Sequence, residues 1–99
     1  MTALCITEIS GLAYVGSQTV MAPIMPPIAE QSVTIGVDSA RSKPISSRTK
    51  LVLLSTDSTC CLAFGTEPVA EIGIHRMAAN EVRLYAVNAG DFIAVIASP

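Results

Sequence analysis

The feature that most constrains this chain is a rhythm of short apolar runs between residues 49 and 97. Four runs, LVLL, CCLAF, VRLYAV and FIAVIA, are separated by turn-forming clusters at Thr56–Thr59, Gly65–Pro68 and Asn88–Asp91. Apolar runs of this length between Gly, Pro, Asn and Asp clusters are typical of β-strands. The pattern predicts a single all-β domain, a small β-sandwich or jelly-roll-like barrel of roughly seven to eight antiparallel strands.

Eight segments carry the alternation or the apolar runs expected of strands. They are Thr2–Ile9, Ser17–Ala22, Ser32–Val37, Thr49–Thr56, Cys60–Gly65, Val69–Ile74, Glu81–Val87 and Asp91–Ala97. Thr49–Thr56 is apolar on both faces, which predicts a central strand buried on two sides. Turn residues predict two hairpins, one through Asp57–Thr59 and one through Asn88–Asp91, where Asn88 and Gly90 suit positive φ.

Four stretches between these strands are predicted to be connections. Ser10–Gly16 is punctuated by glycine, and RMAANE, from residue 76 to 81, is too short for a helix and predicts a turn. Ala22–Ala29 contains APIMPP, and proline fixes φ and biases the preceding residue away from helix. This Pro-rich segment is therefore expected to be either an extended arm or a loop along a sheet edge. Asp38–Arg48 is predicted to be a polar, basic loop.

Basic residues are concentrated in one place. Arg41, Lys43, Arg48 and Lys50 are four of the six basic residues and lie in RSKPISSRTK, which contains no acid. Two interpretations are open: a loop that docks on an acidic protein surface, or a solvated loop leading into a strand that Lys50 guards. No aromatic residue interleaves the cluster, and the net charge is −2, so a nucleic-acid partner is not expected.

The composition is apolar for so short a chain. Hydrophobic residues make up 51% of the 99 residues and charged residues only 14%, and the mean hydropathy is +0.55. Average domains carry about 25% charged residues. Some apolar surface is therefore expected to meet a partner, which favours a homo-oligomer or a larger assembly. The alternative is a soluble monomer whose Ala, Ser and Thr content makes it less apolar than this index indicates.

No charged residue occurs from Ile9 to Ala29, so a membrane span has to be considered. Its polar residues and its prolines, among them Pro23, argue against a spanning helix. The opening MTALCITEIS lacks the basic start and continuous apolar run of a signal peptide. We therefore expect the chain to be made and kept in the cytoplasm, or in whatever is assembled there.

The three cysteines do not form a metal-binding spacing. Cys60 and Cys61 are adjacent, so on a strand they point to opposite faces. At least one is expected to be a buried free thiol, consistent with a reducing compartment. A disulfide from Cys5 to either one stays open at this point.

Sequence motifs of catalysis are missing. His75 is the only histidine, so a histidine metal cluster is impossible, and it is the only base available to a cysteine nucleophile. No serine lies in a G-x-S-x-G motif and no glycine-rich loop could hold a phosphate. We predict that the protein is not an enzyme, that it needs no cofactor or metal, and that His75 is a surface or loop residue.

Three segments together resemble a group of short virion proteins from tailed bacteriophages: CITEISG, PIAEQSVTIG, and TKLVLLSTDSTCCLAFGTEPVA followed by RMAANEVRLYAVNAGDFIAVIA. The group typically shows a "lafGt.P.A" segment and then an "R.aAn...yf.V..G..iAvIa" ending. These features fall here on Leu62, Ala63, Phe64, Gly65, Thr66, Pro68, Ala70, Arg76, Ala78, Ala79, Asn80, Tyr85, Val87, Gly90, Ile93, Ala94, Val95, Ile96 and Ala97. Leu84 and the Cys60–Cys61 pair depart from the usual pattern.

The resemblance implies a structural role in the virion, best matched by a capsid decoration or cement protein. Such a protein binds major capsid subunits in many copies, and analogy favours a trimer. We expect the Pro-rich segment and the basic loop to make the contacts, through Ala22, Pro23, Ile24, Met25, Pro26, Pro27, Arg41, Lys43, Arg48 and Lys50.

Two other functions stay open. The first is a head–tail connector or tail-associated protein present in fewer copies. The second is a small ligand- or carbohydrate-binding β module, which requires an exposed Tyr14 or Tyr85. Tyr85 is expected to be half-buried, and we predict that neither tyrosine lines a glycan site.

Overall fold

The computed structural model describes residues 2–15, 18–23 and 26–98, and between residues 12 and 23 it describes the backbone only. Ten strands lie in this part of the chain. They are β1 (Ala3–Ile9), β2 (Leu12–Val15), β3 (Gln18–Pro23), β4 (Ala29–Thr34), β5 (Ala40–Arg41), β6 (Leu51–Thr56), β7 (Cys60–Gly65), β8 (Arg76–Met77), β9 (Val82–Ala86) and β10 (Phe92–Ala97).

Eight of the strands form two four-stranded antiparallel sheets that pack face to face as a sandwich. The first sheet has the order β4-β1-β6-β9 and the second the order β5-β10-β7-β8. Strands β2 and β3 pair only with each other. The predicted all-β sandwich is confirmed, and within the described residues the two sheets do not close into a barrel.

The core lies between the two sheets and follows the alternation of each strand. On β6 the side chains of Val52 and Leu54 are fully buried, while Leu51 and Leu53 on the opposite face are half-buried. Leu62 of β7 and Val95 of β10 meet them from the second sheet. Strand β6 is central, as predicted, but only one of its faces is buried in the core, because no described element covers the outer face of the first sheet.

Both predicted hairpins are wrong, although their strands exist. Strand β6 pairs with β1 and β9, whereas β7 pairs with β10 and β8. Strands β9 and β10 are likewise in different sheets. Each turn therefore carries the chain from one sheet to the facing one. A turn signal shows where the chain reverses, but the burial of apolar faces decides which strands pair. The predicted positive φ is found at Gly90 and not at Asn88.

Four other boundaries also differ from the prediction. Ser10–Gly16 contains β2, and RMAANE begins with β8 before it turns. Strand β4 starts and ends three residues earlier than Ser32–Val37, and Val37 is 87% exposed beyond its end. Val69–Ile74 forms no strand but a loop with turns. Of its apolar residues only Ala70 is buried, while Val69, Ile72 and Ile74 are exposed.

Candidate functional site

The connection between β1 and β4 forms a β-ribbon arm, defined here as β2, β3 and the residues that join them to the sandwich. Strands β1 and β4 are neighbours, with Glu8 opposite Ala29. Beyond them Leu12 pairs with Pro23 and Val15 with Gln18, with a register shift between. The arm joins neither sheet, and the molecule measures 46 × 25 × 22 Å.

The predicted Pro-rich contact segment belongs to this arm. Ala22 and Pro23 lie in β3, the second strand of the ribbon. A proline is tolerated there because a two-stranded ribbon leaves one side of each strand without a ladder. Pro26 is exposed and Pro27 half-buried on the way back to β4. Ile24 and Met25 lie outside the described residues.

The segment predicted to be a polar, basic loop is instead anchored in the sandwich. It contains β5, and the side chain of Ile45 is buried in the core. The Ile45 N–H donates to the carbonyl of Asp91 at 2.9 Å, and the Ser42 N–H donates to the carbonyl of Ile93 at 2.7 Å. The segment therefore closes one end of the sandwich while its basic side chains stay outside.

A buried carboxylate, Glu8, holds this segment in place. Glu8 is 3% exposed and lies on the inward face of β1. One carboxylate oxygen, Oε1, accepts from the Ser46 N–H and from the Thr49 hydroxyl, each at 2.8 Å. This role was not predicted from the sequence, although Leu4, Ile6 and Glu8 share one face of the first strand. A single acid on an apolar face is the signal that could have found it.

The carboxyl end of β1 brings the arm and the basic segment together. The Ile28 N–H donates to the carbonyl of Glu8 at 2.8 Å, and the Lys50 N–H donates to the carbonyl of Ile9 at 3.0 Å. The root of the arm and the end of the basic segment are thus neighbours at the same end of the sandwich. Two segments predicted separately as contacts form one continuous region.

The four basic side chains have different surroundings. All four residues are exposed, but Arg41 has partners of its own. The Arg41 guanidinium lies 5.5 Å from the ring centroid of Phe92 and donates to the carbonyl of Pro68 at 3.3 Å. Arg41 therefore stabilises the fold and is less free to meet a partner than the other three.

The loop from residue 66 to 75 crosses the outer face of the second sheet. Arg41 helps to hold it there, through the hydrogen bond to Pro68. The Ala70 N–H also donates to the hydroxyl of Ser39 at 2.9 Å. Under this loop Cys61 and Ala94 are fully buried although they point away from the core. Its upper side exposes three large aliphatic residues, Val69, Ile72 and Ile74.

An aromatic cluster, which the sequence analysis missed, lies at the opposite side of the sandwich from β4. The ring centroids of Phe64, His75 and Tyr85 are 5.1 to 5.5 Å apart. The three rings line a cavity of about 170 Å³ together with Ala86, Val87, Asn88 and Asp91. His75 and Tyr85 are ten residues apart in the chain, so only the meeting of the two sheets brings them together.

Hydrogen bonds along one face of β9 fix this cluster. Glu81 and Arg83 form an ion pair, and Arg83 Nη1 donates to the Tyr85 hydroxyl at 3.1 Å. Since Arg83 can only donate, the Tyr85 hydroxyl is free to donate its proton to His75 Nε2, 2.7 Å away. Hydrogen bonding to Arg83 lowers the pKa of Glu81, and the same contact raises the pKa of Arg83.

The arrangement brings no nucleophile to a base among the described residues. His75 Nε2 bonds to Tyr85, and the Cys60 thiol lies 3.8 Å from the Thr56 hydroxyl. Burial raises the pKa of the Cys60 thiol, which makes it a poorer nucleophile. All three cysteines are free: Cys5 is exposed, and Cys60 and Cys61 are buried on opposite faces of β7. The disulfide left open by the sequence is not formed.

His75 is exposed in a loop, as predicted, with a φ of 53°. Tyr85 is half-buried, also as predicted, and its ring lines the cavity described above. In the part of the chain that the structure describes, no three metal-ligating side chains are grouped together. The same part contains no helix with the length and apolarity that a membrane span requires.

Comparison of the chain with protein-family models, with curated proteins and with solved structures gives no match.

Proposed function

We propose that this protein is a non-enzymatic structural component of a bacteriophage virion, a decoration or cement protein that binds major capsid subunits in many copies. The observation that carries the proposal is the shared position of the arm and the basic segment. An uncharged β-ribbon and three exposed cations at one end of a compact sandwich suit contact with neighbouring protein subunits.

The chemistry of the two parts supports binding to protein. An extended ribbon can pair with or lie along a neighbour's strands, which gives affinity through main-chain hydrogen bonds. Lys43, Arg48 and Lys50 would add attraction to an acidic surface. Individual contacts of this kind are weak, but many copies on one particle gain by avidity.

The test is the copy number of this chain in purified particles relative to the major capsid protein. A ratio comparable to that of the capsid protein is expected. A few copies per particle would favour the head–tail connector or tail-associated alternative, and absence from particles would overturn both.

A second candidate is a small ligand-binding β module, which the aromatic cavity favours. Phe64 and Tyr85 offer ring faces there, and Asn88 and Asp91 offer polar groups. Binding to a glycan array that is abolished by Tyr85→Ala, in a variant that keeps its fold, would replace the virion proposal with this one. The prediction that neither tyrosine lines a glycan site would then be wrong.

A further inference from the structure

Strand β9 is an edge of the first sheet, and its backbone is available for pairing. The Val87 N–H donates to the carbonyl of Lys50, and the Thr56 N–H donates to the carbonyl of Glu81. Backbone groups of an antiparallel strand alternate between its two neighbours. Arg83 and Tyr85 therefore direct their backbone N–H and C=O groups toward β6. The backbone groups of Val82, Leu84 and Ala86 point outward, away from the sheet. In the described part of the chain these outward groups bond to no other strand.

The side chains of the same three residues are apolar and lie on the outer face. Leu84 is opposite Leu53, and Val82 is opposite Ser55. Val82 is 59% exposed. An apolar edge strand with unpaired backbone is a template for another strand unless the fold protects it.

The other three edges of the two four-stranded sheets are protected. Strands β5 and β8 are only two residues long. Strand β4 presents polar side chains, and its Gln31 side chain bridges to the backbone of Lys43 in both directions, at 2.9 and 3.4 Å. Short or polar edges discourage pairing. Of the four edges of the sandwich, β9 is therefore the one built to receive a strand.

We propose that β9 pairs antiparallel with β9 of a second copy of this chain, about a two-fold axis through Leu84. The Leu84 residues of the two copies then form a hydrogen-bonded pair, and Val82 of each copy pairs with Ala86 of the other. This register makes about six backbone hydrogen bonds and joins the two first sheets into one. The inference concerns the isolated chain and does not depend on the virion proposal.

The charge on β9 selects this register over its neighbours. Arg83 points inward on an edge strand, a position that usually opposes pairing. In the proposed register Arg83 lies opposite Tyr85 of the other copy, where a guanidinium and an aromatic ring attract each other. A shift by two residues in one direction would place the two Arg83 side chains opposite each other, and like charges directly opposite are destabilising. A shift in either direction also loses backbone pairs.

Apolar packing favours the same partner. Leu53 and Leu84 form a row across β6 and β9. Two-fold pairing extends that row into four adjacent leucines, two from each copy, on the outer face. A contact of this kind is self-complementary, as a two-fold interface requires.

The register can be tested by disulfide trapping in the full chain with Cys5→Ser, which removes the exposed native thiol. Hydrogen-bonded residues on antiparallel strands have Cα atoms about 5.5 Å apart, within the range of a disulfide. Leu84→Cys is therefore expected to crosslink into a dimer on mild oxidation. Val82→Cys is the matched control, because two copies of residue 82 are separated by about 14 Å in this register.

Additional variants separate the possible outcomes. A mixture of the Val82→Cys and Ala86→Cys chains should crosslink although Val82→Cys alone does not. In sedimentation the chain without cysteine substitutions should be dimeric, and Leu84→Pro, which removes an outward N–H, should be monomeric while circular dichroism keeps the β spectrum. Ser32→Lys, on the outer face of the same sheet but in β4 at its opposite edge, should retain the dimer.

Three results would overturn the proposal. The first is a monomer at every concentration, and the second is a trimer. The third is equal crosslinking of the residue 82 and residue 84 variants, which would indicate random collision. Because these experiments use the isolated chain, their failure leaves the copy-number test of the virion proposal unaffected.

Discussion

At the scale of single residues, Glu8 shows how one polar group organises a distant segment. Its carboxylate is buried at the end of β1 and receives hydrogen bonds from Ser46 and Thr49, 38 and 41 residues away in the chain. The segment that carries the basic side chains is thereby fixed beside the root of the arm. Removing this carboxylate is expected to destabilise the fold, because its buried hydrogen-bond donors would be left without a partner.

Glu8→Ala is expected to lower the free energy of unfolding by about 1–3 kcal/mol, the usual cost of leaving buried donors unsatisfied. Urea unfolding followed by circular dichroism measures this. Glu8→Gln is the matched control, since its amide oxygen can still accept a hydrogen bond, and it should cost less. Equal losses for the two variants would mean that the negative charge, and not the acceptor, is what the site needs.

Two surface carboxylates make the free energy of unfolding depend on pH in the acid range. The Ala3 N–H donates to Asp57 and lowers the pKa of that carboxyl, and Arg83 lowers the pKa of Glu81. Unfolded chains bind protons to these groups at about pH 4. Their stabilising contribution is therefore fully present above that pH and is lost as the pH falls through the lower pKa values of the folded state.

The urea midpoint is expected to fall as the pH is lowered from 5 to 2.5. In Asp57→Asn the fall should be smaller, because one of the two groups no longer titrates. Both groups are at the surface, so added salt should also reduce the dependence on Glu81. A midpoint that rises on acidification would contradict the assigned direction of both pKa shifts.

At the scale of elements, the arm is separable from the sandwich. Strands β2 and β3 pair with each other and with neither sheet, while β1 and β4 continue to pair below them. The elements that hold the fold together are thus different from the element that we propose makes contact. The 66–75 loop behaves in the opposite way, because it is bonded to Arg41 and Ser39 and covers buried residues.

Replacing residues 12–23 by an Asn-Gly turn is expected to leave the thermal midpoint within about 4 °C of the full chain, a shift that corresponds to about 1 kcal/mol for a domain of this size. The same variant should lose binding to capsid particles in a co-sedimentation assay. Arg48→Glu, which keeps the arm, separates the contribution of charge from that of the ribbon. A large drop in the midpoint would show that the arm stabilises the sandwich.

At the scale of the whole molecule, stability depends on a thin core between two sheets with unequal outer faces. The outer face of the second sheet is covered by the 66–75 loop, and that of the first sheet is covered by no described element. Leu54 and Leu53 are adjacent on β6, yet the first is fully buried and the second half-buried. Because both are leucines on the same strand, truncating each one in turn compares the two faces of the first sheet.

Leu54→Ala is expected to cost about 2–5 kcal/mol, as is typical when a large aliphatic core side chain is truncated. Leu53→Ala should cost less, because water already reaches its face. Denaturant unfolding of both variants at one protein concentration measures the difference. Similar losses for the two variants, at a concentration where sedimentation shows a monomer, would show that the outer face is covered after all.

The all-β class, the position of most strands and the opposite orientation of Cys60 and Cys61 can all be predicted from the local sequence pattern. These properties follow from local periodicity, because a strand alternates its side chains wherever it pairs. The tertiary structure alone decided which strands pair, since burial of apolar faces in a common core sent β6 and β7, and β9 and β10, to opposite sheets. It also decided the meeting of Phe64, His75 and Tyr85, the burial of Glu8 and the exposure of the β9 edge, because each depends on contacts between residues that the local pattern does not relate.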